Sequence, residues 1–142
     1  MPLQADVIIA RCDVVGRAED ATYRQAITCG RHEMVGDEPA ERGGHDAGPA
    51  PFEYLLSALG SCTSITLRMY AERKGWKVDS VSVALQVRQG AAGKKIERRV
   101  TVSGSLDDAQ LGKLAEISER TPVTLVVKSG VDVHTTMAQS SG

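Results

Sequence analysis

The residues most able to do chemistry in this chain are cysteines. Cys62 lies in Leu59-Gly60-Ser61-Cys62-Thr63-Ser64, among small side chains. A glycine inside a helix costs about 1 kcal/mol relative to alanine. Gly60 therefore points to close approach of another segment, or to access for a small molecule. A thiolate is the nucleophilic form of cysteine, and a nearby guanidinium favours it. Arg17 and Arg24, close to the first chain reversal, are candidates for that partner, with a solvated loop cation as the plainer reading of either. Glu53 is a third candidate, although a carboxylate in a first helical turn is favoured by the helix dipole alone. On physical grounds alone the plainer reading of Cys62 is a small core residue, since buried free cysteine is common.

The other two cysteines, Cys12 and Cys29, fall on adjoining strand-like segments and face each other if the turn centres near Asp20-Ala21. No pair has CxxC spacing, and in a reducing cytosol the expected state is free thiols. His32, His45 and His134 lie far apart without metal-ligand spacing, so neither a metal nor another cofactor is expected.

The elements that position these residues follow from hydrophobic period. Val7–Val15, Tyr23–Cys29 and His32–Val35 read as three strands. A loop, Gly36–Pro51, holds three prolines and four glycines and is long enough to be functional. Residues 52–74 then form a helix, started by Pro51 and stopped by Gly75. Leu55, Leu59, Cys62, Thr66 and Met69 make one stripe, and Leu56, Ile65 and Leu67 extend the apolar surface nearly all round.

Val78–Val87 and Ile96–Val102 form a hairpin about Gln89–Gly93. Asp107 and Gln110 make a capping box for a helix running to about Arg120, with Leu106 and Leu111 as its staple and Pro122 as its stop. Leu125–Val127 and Val131–Val133 finish as a last strand or hairpin around Ser129-Gly130. The order βββ–α–ββ–α–β(β) is an α+β fold, read as a single domain over residues 1–142.

Composition narrows the rest. With 17 basic and 18 acidic residues the net charge is −1, which argues against a nucleic-acid partner. Hydrophobic residues are 42% and charged residues 25%, as in a globular protein. There is no apolar run of the ~20 residues that a membrane span needs, and the start shows no signal-peptide pattern. The expected location is the cytoplasm. Four of five aromatics, Phe52, Tyr54, Tyr70 and Trp76, crowd one stretch, so the core is mainly aliphatic. The central helix extends roughly 35 Å, close to the roughly 37 Å diameter expected for such a chain. A surface so long and apolar suggests a second copy packed against it, hence a homodimer.

Residues 48–76, GPAPFEYLLSALGSCTSITLRMYAERKGW, resemble the central helix of the OsmC/Ohr family, thiol-dependent peroxidases acting mainly on organic hydroperoxides. The early strands, the Gly43-Gly44-x-Asp46-x-Gly48-Pro49 loop, the Trp76-Lys77-Val78 strand and the Asp107 helix leading to Pro122-Val123 extend the likeness. The resemblance implies an intertwined homodimer with antiparallel sheets wrapped around central helices, and needs no cofactor. It implies that Cys62 attacks the peroxide O–O bond and becomes a sulfenic acid. Arg17, with Arg24 as the alternative, matches the arginine that orients the thiolate. Glu53 matches an acid near the helix start, displaced by one residue because Phe52 follows the proline where the family has its glutamate.

The family's second cysteine precedes Pro-Val, and here that place is Thr121. Threonine forms no disulfide, so resolution would need an external thiol reductant, or Cys12 or Cys29. The alternative function is a non-catalytic dimer that binds a small apolar ligand or senses oxidants through Cys62.

Overall fold

The computed structural model describes residues 5–140. The first four residues, part of the stretch read above for a leader, lie outside it. Three strands come first: β1 (Cys12–Gly16), β2 (Gln25–Cys29) and β3 (His32–Gly36). Helix α1 (Pro51–Lys74) follows, then β4 (Lys77–Gly90), β5 (Gly93–Ser105), α2 (Asp108–Ser118) and α3 (Pro122–Ser129). The α+β expectation holds, with one antiparallel sheet ordered β1-β2-β3 and one hairpin, β4-β5. The chain divides into two compact units, up to Leu55 and from Leu56 onward.

In the first unit the register sets Cys12 opposite Cys29. The two are joined as a disulfide with Cα atoms 4.2 Å apart, which corrects the expectation of free thiols there. The turn between β1 and β2 brings the cysteines face to face, so the strand pairing itself supplies the proximity a disulfide needs. The first strand is shorter than its Val-Ile-Ile run suggested. Residues 7–11 have no regular structure, and Val7, Ile8 and Ile9 are exposed, because β1 pairs with β2 only from Cys12 onward.

The long loop after β3 is irregular apart from one 3-10 turn, Ala40–Arg42. Its anchor is the buried carboxylate of Asp37. Oδ1 accepts from the backbone N–H of Glu38 at 2.8 Å, and Oδ2 accepts from His45 at 3.2 Å and Ala47 at 3.1 Å. Backbone groups with no strand or helix partner are satisfied in this way. Led by the Ala47 N–H, these bonds hold the Asp37 carboxyl below its ordinary pKa. Val14, Tyr23, Ile27, Met34 and Tyr54 line an apolar hollow of about 610 Å³ in this unit, together with the two disulfide cysteines.

Helix α1 spans the residues expected of it. Glu53 closes its first turn, Oε1 accepting from Ala50 N–H at 2.9 Å. Gly75, with φ of 71°, ends it in the left-handed conformation that glycine adopts freely. Its buried line is Leu59, Gly60, Thr63, Leu67 and Ala71, not the stripe expected above. Leu55, Ile65 and Met69 are exposed, and Cys62 sits half-buried at the margin. The helix is thus covered along one line only, at i, i+4 spacing.

The hairpin forms as expected, with Val83 opposite Val100 and Leu85 opposite Arg98. The Asp107–Gln110 capping box is complete in both directions. The last expected elements are corrected. Pro122 does not stop α2, which already ends at Ser118; it opens α3. Residues 125–127 are therefore helical, and residues 131–133 carry no regular structure. Proline has no N–H to lose at a first helical position and its φ suits one, so Thr121-Pro122 acts as a start.

Candidate active site

Cys62 is held in the middle of α1, where Gly60 makes room for the hairpin. A β-carbon on Gly60 would stand 2.8 Å from Leu85 Cδ1. The missing side chain thus allows β4 to approach the turn that carries the thiol.

The sulfur meets the start of α3. An α-helix leaves its first N–H groups without intrahelical partners. In α3, Pro122 has none to offer. The N–H of Val123 donates to Cys62 Sγ at 3.5 Å. That of Thr124 donates to Thr121 Oγ1 at 3.4 Å, and that of Leu125 to Thr121 O at 3.0 Å. Every donor of the first turn is accounted for, and the one without a backbone or cap acceptor goes to the thiol. A helix N-terminus carries partial positive charge, which favours an anion placed against it. Thr66 Oγ1, one turn along α1, stands 4.0 Å from the sulfur.

Behind this contact is a polar cluster. Thr63, Thr121, Thr124 and Ser118 are all buried. Arg98 Nη1 donates to Thr63 Oγ1 at 2.9 Å and to Thr124 Oγ1 at 2.8 Å, and Nη2 donates to the Ser118 carbonyl at 2.9 Å. Thr121 and Thr124 share a hydroxyl hydrogen bond of 2.6 Å. Thr63 also donates to Leu59 O at 2.7 Å, an ordinary use of a helical threonine.

The other candidate site residues, Arg17, Arg24 and Glu53, fall in the first unit. Arg17 and Arg24 are both exposed and flank the turn between β1 and β2. Glu53 has one carboxylate oxygen on the helix start, as a third-position acid commonly does. Cys12 and Cys29 are paired with each other, which leaves Cys62 as the free thiol among the described residues. No three His, Cys, Asp or Glu side chains gather as metal ligands among the described residues.

A model of the OsmC-like protein family matches residues 43–136. The chain belongs to the OsmC-like protein family. The matched span takes in the end of the first unit and nearly all of the second. A sequence comparison with curated proteins finds no match. Solved structures carry the likeness over almost the whole chain. An OsmC-like protein from Mycoplasma pneumoniae is 13% identical, with a TM-score of 0.71, covering 85% of this chain and 88% of its own. An organic hydroperoxide resistance protein OsmC from Legionella pneumophila is 14% identical, with a TM-score of 0.64 and coverage of 90% and 95%. The organic hydroperoxide resistance protein OhrB of Bacillus subtilis is 19% identical, with a TM-score of 0.60 and coverage of 88% and 94%. At such identities the shared property is the OsmC-like fold.

Two participants were missed in the sequence. Val123 is hidden in the sequence because Pro122 after a helical stretch resembles a stop more than a first helical residue. Arg98 left a signal: it interrupts the inward row Ile96, Val100, Val102 with a charge. A charged residue at such a parity needs buried acceptors.

Proposed function

We propose that this OsmC-like protein is a thiol-dependent peroxidase that reduces organic hydroperoxides through Cys62. The observation that carries this reading is the Val123 N–H at the start of α3, aimed at a free, half-buried thiol. The sulfur anion attacks one peroxide oxygen and the O–O bond breaks. The alcohol leaves with a proton, and Cys62 becomes a sulfenic acid. The same N–H steadies negative charge on the sulfur before attack and on the sulfenate oxygen after it.

An external thiol then condenses with the sulfenic acid, releasing water and leaving a mixed disulfide. A second thiol displaces Cys62 and restores it. Thr121 supports this route, since no thiol stands in the family's second position. The family resemblance assigns the thiolate-favouring role to Arg17, or to Arg24 in its place, and the orienting of that arginine to Glu53. The working unit is a homodimer in the cytoplasm, with the partner copy over the uncovered side of α1.

A second reading has its own support. The apolar hollow of the first unit, about 610 Å³ and lined in part by the disulfide cysteines, suits a small apolar ligand, and a dimer that binds such a ligand or senses oxidants needs no turnover. Purified protein given cumene hydroperoxide with a monothiol or a dithiol separates the two. Steady consumption that disappears in Cys62→Ser supports the peroxidase, and consumption that ends at one equivalent supports the binding or sensing protein.

A further inference from the structure

Arg98 occupies a position where the strand pattern calls for an aliphatic residue. Its side chain is only 11% exposed. Burying a guanidinium is costly unless its N–H groups are met with good geometry. The carboxylate nearest to it, Glu119, is 3.9 Å away, largely exposed, and already bound by Lys128. The charge is therefore held mainly by neutral acceptors, and these come from α1, from the end of α2 and from α3.

Two of those acceptors adjoin the reacting contact. Thr63 follows Cys62, and Thr124 follows Val123. One guanidinium nitrogen, Nη1, binds both hydroxyls, so each end of the Cys62–Val123 contact lies one peptide bond from the same anchor. The Val123 N–H reaches the sulfur at 3.5 Å, and such a contact weakens steeply with distance and angle.

We propose that Arg98 is a positioning residue for Cys62, setting the distance between the thiol sulfur and the start of α3. The inference rests on Cys62 being the reacting group. Arg98 touches neither the sulfur nor the peroxide; it acts through Thr63 and Thr124. Its planar fork suits this task, because a lysine ammonium offers no rigid set of donors to three elements at once.

The test uses the full chain with its disulfide intact. The rate of Cys62 alkylation by iodoacetamide is followed across pH, alongside the melting temperature, in Arg98→Met, Arg98→Lys, Thr124→Val and Thr124→Ser. Arg98→Met and Thr124→Val are expected to slow alkylation at neutral pH by about tenfold, the scale of one buried hydrogen-bond partner lost, and to move the pH–rate profile upward. Thr124→Ser keeps the hydroxyl and restores the profile, and Arg98→Lys restores it only in part.

A folded Thr124→Val whose profile superimposes on that of the native protein overturns the proposal, even if its melting temperature falls. If Arg98→Met does not fold, the Thr124 pair decides. No peroxide is used, so a moved profile in a protein without turnover supports the positioning role while the peroxidase reading fails. Turnover together with an unmoved profile does the reverse.

Discussion

At the scale of single residues, the departure that matters most is Thr121. It is completely buried, and it caps α3 by accepting from Thr124 N–H. A hydroxyl there serves the helix but cannot trap a sulfenic acid. Thr121→Cys is expected to convert the protein to a two-thiol mechanism. One equivalent of hydroperoxide then yields a disulfide between Cys62 and the introduced thiol, read by peptide mass mapping without reductant. The native protein under excess peroxide is expected to pass instead to sulfinic acid at Cys62. The same substitution weakens the cap and lowers stability by about 1 kcal/mol. Sulfinic acid forming equally fast in both proteins would contradict this assignment of Thr121.

At the scale of elements, α1 buries Leu59, Thr63, Leu67 and Ala71 within its own chain and leaves Ile65 and Met69 at 57% and 54% exposure. Leaving such side chains half exposed along a helix forgoes about 1 kcal/mol each. If the proposed homodimer forms across this face, Ile65→Asp is expected to convert it to monomer in sedimentation. A native protein that sediments as a monomer at every concentration would remove the dimer from the account. Much of α1 was readable in advance, because Pro51, Gly75 and an unbroken helical period bound it. Which line of the helix is buried was not readable, since apolar residues nearly encircle it and only packing against Leu85 and its neighbours chooses among them. The end of the chain failed for a different reason. Val-rich segments at 125–127 and 131–133 satisfy strand propensity, while helix formation at Pro122 depends on a Thr121 cap that propensity does not weigh. Cys12 and Cys29 were placed on adjoining strands correctly, but their bond required a register fixed only by the fold.

At the scale of the whole molecule, the near-neutral net charge conceals three carboxylates with depressed pKa values. Asp37 is held down first by the Ala47 N–H, Glu97 first by the Gln86 side chain and then by Arg88, and Glu119 first by its hydrogen bond to Lys128. Each folded value lies below the unfolded one, so the stabilisation is complete above the ordinary values of 3.8 for Asp and 4.5 for Glu. It is lost as the pH falls through the depressed values. The melting temperature is expected to be level down to about pH 5 and to drop below it, as scanning calorimetry can follow. A drop that begins at neutral pH would point to other groups.

The most direct measurement of the central claim is the consumption of an organic hydroperoxide by the purified protein with a thiol reductant in excess. The account predicts many turnovers per chain in the native protein and none in Cys62→Ser. Consumption that stops at one equivalent, or that persists in Cys62→Ser, would contradict it.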